Sequence, residues 1–159
     1  MHARPARRVW RRLLTADSRD RYYRAMATAV LPPIRRSFRA LAGTFVPEAA
    51  ALDERGWAEA EAIVERFLAT RPASVRRQVV LLVRLLDLLS LLRHARRLSG
   101  LDDDDRLHLL ESLQDAPFLL LRRGIWGVRT LAFMGYYGRP EAAAAIGYRA
   151  DPRGWLVRR

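Results

Sequence analysis

Three histidines, His2, His94 and His108, are the chain's candidates for metal binding and proton transfer, and their spacing serves neither. No H-E-x-x-H or related ligand pattern contains them. His94 lies among Arg93, Arg96 and Arg97, where positive charge disfavours both a metal ion and a protonated imidazole. Asp102 to Asp105 could hold a divalent cation, but the run lacks the alternating ligands, turn glycine and distal Glu of a calcium loop. It reads as a helix N-cap followed by an acidic first turn, which the helix dipole favours. Arg84 and Asp87, three residues apart, read as a helix-surface ion pair. The sequence has no cysteine and no lysine. Disulfides, thiolate metal sites and Schiff-base chemistry are thereby excluded. No G-x-S-x-G, Walker or G-x-G-x-x-G pattern occurs. No catalysis is expected from the isolated chain.

The more informative residues lie near the C-terminus. Leu131, Phe133, Gly135, Tyr136, Tyr137, Gly138, Arg139, Pro140 and Glu141 are followed by Ile146, Gly147, Tyr148, Arg149, Arg153 and Trp155. Gly135 and Gly138 can take positive φ, so the preceding helix is expected to stop there. Pro140 suits the first position of a new helix, and Gly147 its end. Two readings of the aromatics stand side by side. They pack back onto the helices, or they form an interface, for which Tyr, Trp and Arg are favoured anchors.

The motif Leu-x-Phe-x-Gly-Tyr-Tyr-Gly-x-Pro-Glu, with Ile146-Gly147-Tyr148 after it, resembles the end of two related helical modules. One is the gluconate 2-dehydrogenase subunit 3 type of small subunit. The other is the helical region that precedes the flavin domain in long-chain alcohol oxidases of the glucose-methanol-choline oxidoreductase family. The likeness is sharpest over about residues 118–155 and looser over 20–117. It implies a non-catalytic accessory subunit that stabilises or caps a large FAD-containing partner, which oxidises an alcohol. No cofactor is expected on this chain, and the FAD belongs to the partner. The residues expected to meet that partner are Tyr136, Tyr137, Arg139, Pro140, Ile146, Gly147, Tyr148, Arg149, Arg153 and Trp155, with Trp10 from the N-terminal arm.

The elements that must position these residues are helical. No segment sustains strand alternation. The expected fold is an all-α, single-domain bundle of about six helices over residues 17–148. A basic arm, 1–16, precedes it and an irregular aromatic tail, 149–159, follows. A first helix starts at Asp17 or Ser18 and runs to Val30, broken by Pro32-Pro33. A second covers Ile34 to Ala42, stopped by Gly43, and Pro47 opens a linker. Asp53 caps a third, which reaches about Ala69 with Trp57, Ile63, Val64, Phe67 and Leu68 inward and Glu59, Glu61 and Glu65 outward. A fourth, Ala73 to Leu98, is expected at the centre, with Arg84, Asp87, Ser90 and His94 sharing one outward or groove-facing arc. Its apolar part, about 21 Å long, is short of the ~30 Å bilayer core. A fifth follows Asp102–Asp105, with Leu107, Leu109, Leu110 and Leu113 as apolar positions. A sixth runs from Phe118 to about Phe133, where Gly124 and Gly127 suggest a kink or close approach by another helix.

Charge is distributed unevenly over these elements. The net charge is +12, from 29 arginines against 17 acids. Residues 1–39 carry a net +9, residues 40–117 a net −3 and residues 118–159 a net +6. Such a chain seeks anionic surfaces, although an all-arginine, alanine-rich composition also follows from a GC-rich genome. The arm with Trp10, Leu13 and Leu14 is open to three readings: a solvated tail, a partner-binding arm, or a peripheral membrane contact. Arg7-Arg8 and Arg11-Arg12 resemble a twin-arginine export signal, but no adequate apolar stretch follows, so the cytoplasm is the expected location. The alternative function is an Arg-rich helical module for nucleic acid, which would bind with steep salt dependence. The acidic middle argues against it.

Overall fold

A computed structural model describes residues 29–114 and 117–148. Among them are six α-helices: α1 (Arg35–Phe45), α2 (Glu54–Ala69), α3 (Ala73–His94), α4 (Asp103–Gln114), α5 (Leu119–Tyr137) and α6 (Pro140–Ala145). Short 3₁₀ turns lie at Pro32–Ile34, Pro47–Ala51 and Leu98–Gly100. The chain is an all-α bundle, as its periodicity requires. The arm with its proposed first helix, and the tail beyond Tyr148, lie outside the described residues, apart from Ala29 and Val30, neither of which is helical.

Local chemistry sets several boundaries. The Asp53 carboxylate accepts the Gly56 N–H at 2.7 Å and caps α2. Asp102 does the same for Asp105 at 2.8 Å ahead of α4. Pro140 opens α6 at a position where its missing N–H costs nothing. After α6, Gly147 turns to φ +68. Its N–H reaches Ala144 O at 3.0 Å and the Tyr148 N–H reaches Ala143 O at 2.9 Å. This paired closure is a Schellman motif.

Other boundaries differ from expectation. Gly43 does not stop α1, which continues to Phe45. α3 ends at His94 rather than Leu98, because Ala95 adopts the left-handed conformation at φ 54. α5 passes through Gly135 and closes at Tyr137, and Gly138 follows with a right-handed φ of −74.

α5, not α3, is the central helix, and it touches each of the other five. Ile125, Val128, Leu131, Ala132 and Gly135 are its buried residues. Gly135 is there for proximity. A Cβ at this position would stand 3.0 Å from Val64 Cγ2 and 3.1 Å from the Ala60 carbonyl oxygen of α2. At Gly124 a Cβ would meet the Leu82 side chain at 2.7 Å, whereas Gly127 faces open space.

The polar arc of α3 turns to a groove rather than to open water, apart from exposed Arg84. Its buried residues are Val83, Leu86 and Ser90. Asp87 turns inward, accepting the Ser37 hydroxyl of α1 at 2.7 and 2.9 Å and the Leu98 N–H at 3.2 Å. Ser90 donates to Arg96 O at 2.7 Å. Buried Arg106 continues this polar seam. It donates to Leu98 O at 3.0 Å, Leu101 O at 2.5 Å, Thr44 Oγ1 at 3.1 Å and Asp103 Oδ1 at 2.7 Å. With Asp87 and Ser90 inside, the leucines on the opposite side of α3 face out.

Two acids of α2 also point inward rather than out. Glu61 is buried between Arg39, at 2.7 Å, and Arg35, at 3.0 Å. Glu65 accepts the Val30 and Leu31 N–H groups, the latter at 2.6 Å. Arg39 also bonds exposed Glu54 and holds that carboxyl below its ordinary range. The contribution of this pair is therefore present at neutral pH and lost as pH falls through the lowered value.

Asp87→Ala orphans the Leu98 N–H and the Ser37 hydroxyl and is expected to cost about 2 kcal/mol in urea unfolding. Within α5, Gly135→Ala is expected to destabilise by roughly 1–3 kcal/mol through overpacking against α2. Gly127→Ala is expected to stabilise by about 0.5–1 kcal/mol. Equal effects at the two glycines would contradict the close α2–α5 contact.

Candidate functional site

The 3.6-residue period that turns Ile125, Val128 and Leu131 inward places Trp126 and Arg129 on the outer side of α5, with Phe133 and Tyr137 half-buried at its edge against Val46, Ala49 and Trp57. Trp126 is 60% exposed. The Arg129 guanidinium lies between two rings, 5.4 Å from the centroid of Trp126 and 5.3 Å from that of Phe133. Phe133 stacks on Tyr137 at 6.1 Å, and Tyr137 meets Tyr136 edge-on at 5.0 Å. Arg139 ends the series with its guanidinium 4.8 Å from the Tyr136 centroid. Four rings and two guanidinium groups thus lie in series along one helix and its exit. The charge on this stretch is uniformly positive, because residues 117–140 contain no acid. Such a ladder contains neither nucleophile nor base. It can bind by desolvated ring area and by cation–π and bidentate contacts.

The C-terminal strip divides in two. Tyr136 and Tyr137 are half-buried and pack against the Val46, Ala49, Trp57 and Ala132 cluster. Arg139 is buried, and its Nε donates to Tyr136 O at 3.3 Å. These three residues build the fold, so Arg139 is not available as a free contact. Pro140, Ile146, Gly147 and Tyr148 are exposed. Arg149, Arg153, Trp155 and Trp10 lie outside the described residues. Trp126, Arg129 and Phe133 were missed by the sequence reading. Their signal was present in the spacing of three, four and seven residues, which puts them on one side of a helix.

The titratable candidates are placed elsewhere. Among the described residues no three His, Asp or Glu side chains converge as metal ligands. His94 Nδ1 lies 3.8 Å from an Asp105 oxygen and His108 Nδ1 3.6 Å from Glu111. Asp87 is bonded to Ser37 and Leu98 rather than to Arg84. Doubly wound α/β folds take the pyrophosphate of a dinucleotide such as FAD at a glycine-rich strand-to-helix turn. The described residues contain no strand and so no turn of that kind. None of their helices is long and apolar enough to cross a membrane. Comparison of the chain with family models, curated proteins and solved structures gives no match.

Arg139→Ala is expected to lower stability by about 1–2 kcal/mol through loss of a buried cation–π contact and a hydrogen bond. Tyr148→Ala is expected to stay within about 0.5 kcal/mol of the parent. Thermal or urea unfolding of the two variants checks the division of the strip.

Proposed function

We propose that this chain is a non-catalytic small subunit of a flavin-dependent dehydrogenase or oxidase of the glucose-methanol-choline type. In this reading a larger partner carries the FAD and oxidises an alcohol, and this chain covers part of its surface. The observation that carries the proposal is Trp126, an exposed indole held in place by Arg129 on the helix that organises the whole bundle. Trp and Arg are the residue types that most often anchor protein interfaces. An anchor on a rigid helix loses little entropy when it docks. Exposed Ile146 and Tyr148, beyond α6, extend the same C-terminal part of the chain. The resemblance of the Leu131–Tyr148 motif to the small-subunit type supplies the class of partner.

A pull-down of the tagged chain from cells of its source tests the assignment. The expected result is a co-purified complex whose eluate shows flavin absorbance. Trp126→Ala should lower recovery by about tenfold or more, as truncation of an interface hot spot does. A chain that remains alone in that preparation, with no flavin in the eluate, would contradict the proposal.

A further inference from the structure

The outward face of α3 is a row of leucines. Leu81, Leu85, Leu88 and Leu92 are 63%, 43%, 51% and 73% exposed. Their spacing of four, three and four residues keeps them on one line, opposite Val83, Leu86 and Ser90. At 1.5 Å per residue the row is about 17 Å long. Rotating it inward would break the bonds from Asp87 to Ser37 and Leu98.

Two hollows run beside this row. One, of about 450 Å³, lies between Ala29-Val30 and α3 and is lined by Arg76, Arg77, Arg84 and Leu81. The other, of about 300 Å³, is lined by Arg84, Asp87, Leu88, Leu91 and Arg97. Arg84 borders both. Asp87 is the one acid in these linings, and its carboxylate is engaged by Ser37 and Leu98. Among the described residues, no carboxylate forms an ion pair with Arg76, Arg77, Arg84 or Arg97.

We propose that this face of α3 rests on an anionic lipid surface, with the leucine row in the outer acyl region and Arg77, Arg84 and Arg97 on headgroup phosphates. An aliphatic row beside arginines is the pattern of a helix lying in the plane of a bilayer interface, and the positive rim complements the negative headgroups. Three other occupants match less well. A nucleic acid would satisfy the arginines and leave the leucines against water. A second copy would bring Arg77 and Arg84 close to the same residues of its mate. A protein partner would more often meet aromatic anchors, which here sit on α5 instead.

The test is sedimentation of the full chain with phosphatidylcholine vesicles, with and without phosphatidylglycerol. Binding is expected only with the anionic lipid. The double variant Leu85→Ser, Leu88→Ser should weaken it by about tenfold or more, and Arg84→Gln by about fivefold. Unfolding curves confirm that the variants fold. Unchanged binding in both variants would overturn the proposal, since the basic ends would then account for the attraction. So would a dimer that the leucine variant dissociates, or leucine variants that are destabilised yet bind vesicles as before. The last result would mean that another part of the chain covers the row. Binding to duplex RNA in place of vesicles would overturn it as well. The flavoprotein is absent from this experiment, so its outcome is separate from that of the subunit assignment.

Discussion

The inward carboxylate of Asp87 fixes how the bundle presents itself. A helix with eleven leucines and valines from Val79 to Leu92 could bury almost any side. Asp87 cannot be buried alone, and it finds a hydroxyl on α1 and a backbone N–H at Leu98. Ser90 and Arg106 close the same seam against the turn that follows α3. Turning the leucines in would take Asp87 from the Ser37 hydroxyl and the Leu98 N–H, at a cost of about 1–3 kcal/mol for each group left unpaired. The bundle therefore keeps its polar seam and leaves a leucine row in contact with solvent. That exposed row is the surface on which the proposed lipid contact rests.

α5 supplies the second organising constraint. Gly135 lets it lie against the backbone of α2, and Gly124 admits the Leu82 side chain. A helix held so closely on its inner side is a rigid base for what stands on its outer side. Trp126 and Arg129 are stacked there in fixed order, with Phe133 at the edge. The two outward faces differ in chemistry. The face of α5 carries rings and guanidinium groups, and the face of α3 carries aliphatic chains beside arginines. That difference suits a protein partner on one side and a lipid surface on the other.

Much of this was legible in the sequence, where the cause was local. Asp53, Asp102 and Gly147 mark helix ends through bonds to residues within a turn, Pro140 does so by its fixed φ, and each holds in the structure. The all-helical class followed from periodicity. The orientation of α3 was not legible, because the residue that decides it, Ser37, lies fifty positions from Asp87. Glu61 and Glu65 looked like surface acids until Arg35, Arg39 and the Val30 and Leu31 N–H groups came to meet them. Gly135 looked like a helix stop because a glycine's usual signal is local, whereas its reason here is the carbonyl of Ala60 on another helix. The aromatic strip was visible as composition. Its division into a folded half, Tyr136 to Arg139, and an exposed end at Ile146–Tyr148 depended on the packing of Trp57 and Val46.

The orientation of α3 underlies the leucine face, and the absence of native cysteine makes it directly measurable. Single cysteines can be placed along the helix by Leu81→Cys, Leu85→Cys, Leu88→Cys, Leu86→Cys and Ser90→Cys, and their reaction with a water-soluble thiol reagent timed. The account requires fast labelling at the first three positions and protection at the last two. Protected leucine positions with rapid labelling at Ser90 would show that the helix turns its polar arc to water, and would contradict it.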